Sequence, residues 1–175
     1  LLLSVSCGDP GFDHSSSPSI DSSDSLKDKE FEEGSPLLFS EFYLGELIKN
    51  RVVEVANFGT EPLSLKNYSI RIYHGTEKTT SYTIPLGDKT LQSMETFCVA
   101  YSQIEEQIHH DMVSADFMNN GTWPMGLFRG EARVDTLGEI GYTNAFASNE
   151  VIIRKNEYRI GREKGERCDW IGYTA

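Results

Sequence analysis

Cysteine is scarce in this chain: three in 175 residues, with no Cys-x-x-Cys pair. That argues against a disulfide-rich scaffold, a zinc ribbon and a redox pair, all of which need closely spaced thiols. Basic residues are also few, 16 Lys and Arg against 27 Asp and Glu, for a net charge of −11. Bulk electrostatic binding of nucleic acid needs the opposite sign, so nucleic acid is not an expected partner. Long apolar runs are missing too. The opening Leu1-Leu2-Leu3 is broken at Ser4, whereas a membrane-spanning helix needs about 20 residues. No Gly-x-Ser-x-Gly occurs, which removes the serine-hydrolase nucleophile elbow. What remains is ordinary: 38% hydrophobic residues suffice for one core, and the length fits one domain plus an appendage.

The appendage is at the front. Residues 1–7, Leu1-Leu2-Leu3-Ser4-Val5-Ser6-Cys7, read as the end of an apolar signal segment with small residues before a cysteine. The run resembles a bacterial lipoprotein signal, in which the Cys is lipidated and becomes the new N-terminus. Val5, Ser6 and Cys7 fit that box; Ser4 stands where Leu is usual, with Leu3 one place early. An ordinary secretory signal, or an apolar end with an incidental Cys, is the alternative. Residues 8–35 then change character, with eight serines and eight acids against Lys27 and Lys29, a net of −6. Such a stretch buries too little apolar surface to offset its ordering entropy, so a disordered, self-repelling tether is expected. The folded domain is expected over 36–175.

From Leu37 onward the pattern is short β-branched and aromatic runs between turn residues. Strands are expected at 37–43, 51–56, 68–74, 79–84, 95–101, 127–129, 132–137 and 151–155. Period-two alternation places Val53, Val55, Ile70, Ile72, Phe97, Val99 and Leu127 inward, and Glu54, Arg71 and Thr96 outward. Asn57-Phe58-Gly59, Asn120-Gly121 and Gly130-Glu131 carry turn chemistry, the last suited to a two-residue hairpin. Only 102–112 has helical character. Many short strands without alternating long helices predict an all-β sandwich or barrel.

An ordered series of phrases is similar to the lamin tail domain, especially its bacterial extracellular members. It runs through Leu37-Leu38-Phe39-Ser40-Glu41-Phe42, Val53-Glu54-Val55-Ala56-Asn57, Leu65-Lys66-Asn67-Tyr68-Ser69-Ile70, Ile84-Pro85-Leu86 and Phe97-Cys98-Val99-Ala100. Leu127-Phe128-Arg129-Gly130, Asp135 to Gly141, Arg154-Lys155 and Asp169-Trp170 continue it, so that it covers about 37–172. Thr122-Trp123-Pro124 follows Asn120-Gly121 where those members often carry an acidic pair. The resemblance implies an immunoglobulin-like two-sheet β-sandwich. It also implies an accessory or partner-binding role, since lamin tails bind protein partners and chromatin and bacterial members accompany surface enzymes.

Candidate sites are few. His109, His110 and Asp111, with Asp116 nearby, form the one cluster of ligand-type residues, although adjacent His side chains diverge and do not easily share one metal. Glu54 reads as a carboxylate on the outward side of its strand, with no partner acid at a matching spacing. Ser40, Glu41 and Asn57 are expected at strand ends and turns. Cys98 reads as a small core thiol, and its pairing with Cys168 stays open. Trp123 and Trp170 are either exposed binding aromatics or core residues. Arg154, Lys155, Arg159, Arg162, Lys164 and Arg167 reverse the local charge and form a possible interaction patch for an anionic polymer, a phosphate or the membrane surface, unless Glu150, Glu157, Glu163 and Glu166 simply balance them.

The expected function is a non-enzymatic interaction or accessory domain, lipid-anchored at Cys7 to the membrane and presented outside the cytoplasm at the bacterial envelope or surface. Its partner would be a protein or an anionic polymer of that envelope, and no catalytic, metal or cofactor site is expected. The rival is a metal-dependent hydrolase of the nuclease or phosphatase type, which would have to assemble His109, His110, Asp111 and Asp116.

Overall fold

A computed structural model describes residues 31–47, 49–147, 150–166 and 169–174. Cys7, Arg167, Cys168 and the expected tether up to residue 30 lie outside the described residues. The fold is all-β. No α-helix occurs among the described residues, and one 3₁₀ turn spans Asn156–Tyr158.

The described residues form twelve strands: β1 (Leu37–Leu44), β2 (Arg51–Asn57), β3 (Leu63–Ser64), β4 (Tyr68–Ile72), β5 (Tyr82–Pro85), β6 (Thr90–Leu91), β7 (Thr96–Tyr101), β8 (Met112–Ser114), β9 (Met125–Arg129), β10 (Ala132–Leu137), β11 (Glu150–Arg154) and β12 (Trp170–Thr174). They make a six-stranded sheet in the order β12-β11-β1-β2-β7-β8, a four-stranded sheet in the order β10-β9-β4-β5, and the small pair β3-β6. Every pairing is antiparallel except β7 with β8. All eight expected strands are present, with ends shifted by up to three residues. The short strands β3, β6 and β8 were too brief for periodicity to reveal, and β12 lacked alternation of polar and apolar residues.

The alternation reads the faces correctly. Val53, Val55, Ile70, Ile72, Phe97, Val99 and Leu127 all enter one core shared by the two larger sheets, while Glu54, Arg71 and Thr96 sit half-buried on the opposite sides. Turn chemistry also holds. Gly130 takes φ +61°, and Arg129 pairs directly with Ala132 across a two-residue hairpin. Asn57 is fully buried, where its Oδ1 accepts the Gly59 N–H at 3.0 Å and its Nδ2 donates to the carbonyls of Glu61, Leu91 and Gln92.

Three expectations need correction. Residues 102–112 do not form a helix. They make turns in which the N–H of Ile104 reaches the Tyr101 carbonyl and that of Ile108 reaches Glu105. This segment is the crossover that a parallel β7–β8 pair requires, and Ile104 and Ile108 pack onto the outer face of the sheet against Val52, Cys98 and Ala100. Ser40 and Glu41 lie in the middle of β1 rather than at its end, where a bulge shifts the register between Phe39 and Glu41. Finally, ordered contacts begin before Pro36. Phe31 bridges Arg133, the Glu32 N–H reaches the Arg133 carbonyl at 2.8 Å, and Glu32 pairs with Arg129.

A buried ion pair ties the two larger sheets together. Arg154 of β11 donates to Asp135 of β10 at 2.5 Å, and both side chains are almost completely buried. The β1–β11 ladder runs from Glu41 to Tyr43 and stops short of Phe39. The pair takes over there: the Phe39 N–H donates to Asp135 Oδ2 at 2.9 Å, and Arg154 Nε donates to the Phe39 carbonyl at 2.5 Å. The Phe39 backbone groups, which lie beyond the end of the β1–β11 ladder, are thereby satisfied.

Candidate functional site

The outer face of the six-stranded sheet gathers the chemistry. Glu41 pairs with Glu54 across β1 and β2, and Glu54 pairs with Cys98 across β2 and β7. Directly paired residues point to the same face, so these three side chains form a row, and the crossover turns bring His109 and Asp111 to its end. A cavity of about 340 Å³ opens here, lined by Glu41, Tyr43, Val52, Glu54, Cys98, Ile108 and His109.

Hydrogen bonds fix the row. Ser40 Oγ donates to Glu54 Oε1 at 2.6 Å, and the Cys98 thiol donates to Glu54 Oε2 at 3.6 Å. Asp111 Oδ2 accepts the Cys98 backbone N–H at 2.9 Å, while Oδ1 takes Lys89 Nζ at 3.1 Å. His109 Nε2 stands 4.0 Å from Asp111 Oδ2, with the imidazole itself largely in solvent. One ligand atom from each of Cys98, His109 and Asp111 lies within 4.8 Å of the other two.

The electrostatics follow from crowding of acids. Burial, followed by the charge of Glu54, raises the Glu41 carboxyl above its ordinary range. Burial and then the charges of Glu54 and Asp111 push the Cys98 thiol up to about 12, so it is protonated and unreactive at neutral pH. Burial also acts to raise Asp111, but the Cys98 N–H and the Lys89 ammonium outweigh it and leave that carboxyl below its usual value.

The expected four-residue cluster is only half assembled. His110 turns away, its Nδ1 2.9 Å from the Ile108 carbonyl, and Asp116 is exposed in a turn capped by Ser114. Cys98, Glu54 and Glu41 take their places, members that no linear spacing links, because cross-strand register alone makes them neighbours. Cys98 carries a free, buried thiol. Trp170 is buried, and Trp123 packs half-buried against the core with its ring edge-on to His74.

Of the basic patch, Arg154 is withdrawn from solvent, whereas Arg159 and Lys164 are exposed. Arg154 belongs to the buried ion pair rather than to solvent, because Asp135 and the Phe39 carbonyl draw its guanidinium inward. Arg162 is half-buried, pairs with Asp169 at 3.3 Å and lies over the Tyr158 ring. Lys164 pairs with Glu139 at 3.1 Å. Lys155 sits over Tyr158, and Arg159 lies over Phe58 and donates to Asn156.

A different surface stands out on the same outer face. Ile153 pairs with Ile171, and Val151 with Tyr173, across β11 and β12, while Tyr43 of β1 pairs with Val151. Ile153, Ile171 and Tyr173 are 38%, 43% and 53% exposed. A sheet with one solvated face should alternate apolar with polar residues; here both faces of β11 and β12 carry apolar side chains. In comparisons with known proteins, no protein-family model matches the chain, and no curated protein matches it.

Proposed function

We propose that this chain is a non-catalytic interaction domain of the bacterial cell envelope. In this reading it is a lamin-tail-like, immunoglobulin-like β-sandwich carried on a tether from a lipidated Cys7, and it offers the outer face of β11 and β12 to a protein partner. The observation that carries the reading is the exposed apolar row of Ile153, Ile171 and Tyr173, continued by Val151 and Tyr43. Contiguous exposed apolar side chains on a soluble domain mark a docking surface, and aromatic residues at such a surface supply much of the affinity. β12 lies at the edge of its sheet, where a partner strand can also add. A protein fits this surface better than an anionic polymer, since the basic residues nearby are occupied by acids and rings.

The test is site-specific photo-crosslinking from position 173 in the full chain, expressed in intact envelopes. A defined heteromeric product that disappears in Ile171→Glu, but persists in the exposed control Ile160→Glu, supports the reading. Unchanged crosslinking in Ile171→Glu, or no product beyond the chain itself, overturns it.

A second reading is favoured by one feature, the convergence of Cys98, His109 and Asp111 beside two carboxylates. It is a metal-dependent hydrolase of the nuclease or phosphatase type. Metal-dependent phosphoester cleavage that is lost in His109→Ala supports this alternative over the first.

A further inference from the structure

We infer that Cys98, His109 and Asp111 form a binding site for a single zinc-class divalent cation. The inference is independent of the docking surface and rests on donor geometry. Tetrahedral zinc with bonds of roughly 2.0–2.3 Å holds its ligand atoms about 3.3–3.8 Å apart. Cys98 Sγ and Glu54 Oε2 stand 3.6 Å apart, and His109 Nε2 and Asp111 Oδ2 stand 4.0 Å apart. The three donors Cys98, His109 and Asp111 fall within 4.8 Å of one another. Bringing these three donors to tetrahedral spacing asks for a movement of His109, whose side chain is 81% exposed.

The donor set also selects the metal. Thiolate, imidazole and carboxylate together suit zinc, whereas calcium and magnesium take oxygen ligands. Both Asp111 oxygens already have one partner, Lys89 on Oδ1 and the Cys98 N–H on Oδ2, and these orient the carboxylate without exhausting its acceptor capacity. Ser40 does the same for Glu54 through Oε1, which leaves Oε2 facing the thiol. On coordination the metal–sulfur bond replaces the S–H bond, and the proton leaves to bulk water. Concentrated negative charge around a buried thiol is unfavourable for a bare thiolate and favourable for a thiolate bound to a dication. The expected consequence is structural: the cation would pin the crossover turns at His109 and Asp111 to β7.

The experiment uses the full chain carrying Cys7→Ser and Cys168→Ser, so that Cys98 is the one thiol present, and the probes are Zn²⁺ and Co²⁺ alone. Calorimetry should give one equivalent of Zn²⁺, and Co²⁺ should give a thiolate charge-transfer band in the near ultraviolet. Cys98→Ser should abolish the band. His109→Ala, an exposed change that leaves the fold intact, should weaken binding by at least about tenfold, the loss that even a residue behind the ligands produces. His110→Ala should change neither. Absence of saturable binding overturns the proposal, as does binding that survives His109→Ala or a band that survives Cys98→Ser.

Discussion

Breaking the Arg154–Asp135 pair by Asp135→Asn should be among the most damaging single changes in the protein. Both side chains are at most 1% exposed, so no water is available to solvate a guanidinium left alone. Asp135 accepts from Arg154, from the Phe39 N–H and from the Arg162 N–H at 2.9 Å; Arg154 also donates to the carbonyls of Phe39, Tyr158 and Ile160. Removing one partner of a buried pair costs about 3–5 kcal/mol, because the remaining charge is uncompensated. That is a large fraction of a total stability of about 5–15 kcal/mol. A surface pair sets the contrast. Lys164 and Glu139 are 3.1 Å apart, but their side chains are 66% and 37% exposed, so Lys164→Ala should cost less than about 1 kcal/mol. The double variant Asp135→Asn/Arg154→Met should lose less than the sum of its singles, since neither buried charge remains. Urea unfolding at neutral pH of the three singles and the double measures this. A loss under about 1 kcal/mol for Asp135→Asn, or strict additivity in the double, would refute the reasoning.

Four further outcomes are expected. Ile72→Ala, which truncates a fully buried side chain, should cost about 2–5 kcal/mol, whereas Thr96→Ala should stay within about half a kcal/mol; equal losses in urea unfolding would mean that the faces are misassigned. Cys98, with its thiol raised to about 12 and its side chain buried, should resist iodoacetamide in the native protein at pH 8 and react once unfolded, as read by mass spectrometry of the peptide. Glu41 is raised in the fold, so its favourable contribution exists below the unfolded carboxylate range and is lost as pH rises through its folded value; Glu41→Gln should therefore stabilise the protein at neutral pH, with the gain vanishing in acid, in thermal melts across pH. Gly121→Ala places a methyl 1.8 Å from the Ala147 carbonyl oxygen at φ +80°, whereas Gly87→Ala at φ +81° meets open space, so the first should melt well below the second.

What the sequence determined by itself was the local grammar. Alternation along Val53-Glu54-Val55 and Ile70-Arg71-Ile72 assigned strands and faces because side-chain direction in a strand repeats every two residues, whatever the strand pairs with. Asn57-Phe58-Gly59 and Gly130-Glu131 announced turns because the required dihedrals and side-chain hydrogen bonds lie within a few residues. The same reading gave 102–112 helical character, whereas the segment is a crossover of turns that lays Ile104 and Ile108 on the sheet. It also placed Arg154 on the surface, because a charge on a strand is exposed unless a distant partner is supplied. Only the tertiary structure supplied that partner, by bringing Asp135 of β10 against the bulge at Phe39. Only the structure set Glu41 beside Glu54, Glu54 beside Cys98, and the His109–Asp111 turn over the end of that row. Those neighbours are separated by 11 to 44 positions in the chain, and their contact depends on which strand pairs with which and in what register. Register is fixed by burying the whole core at once, a condition on all the strands together that no single segment records.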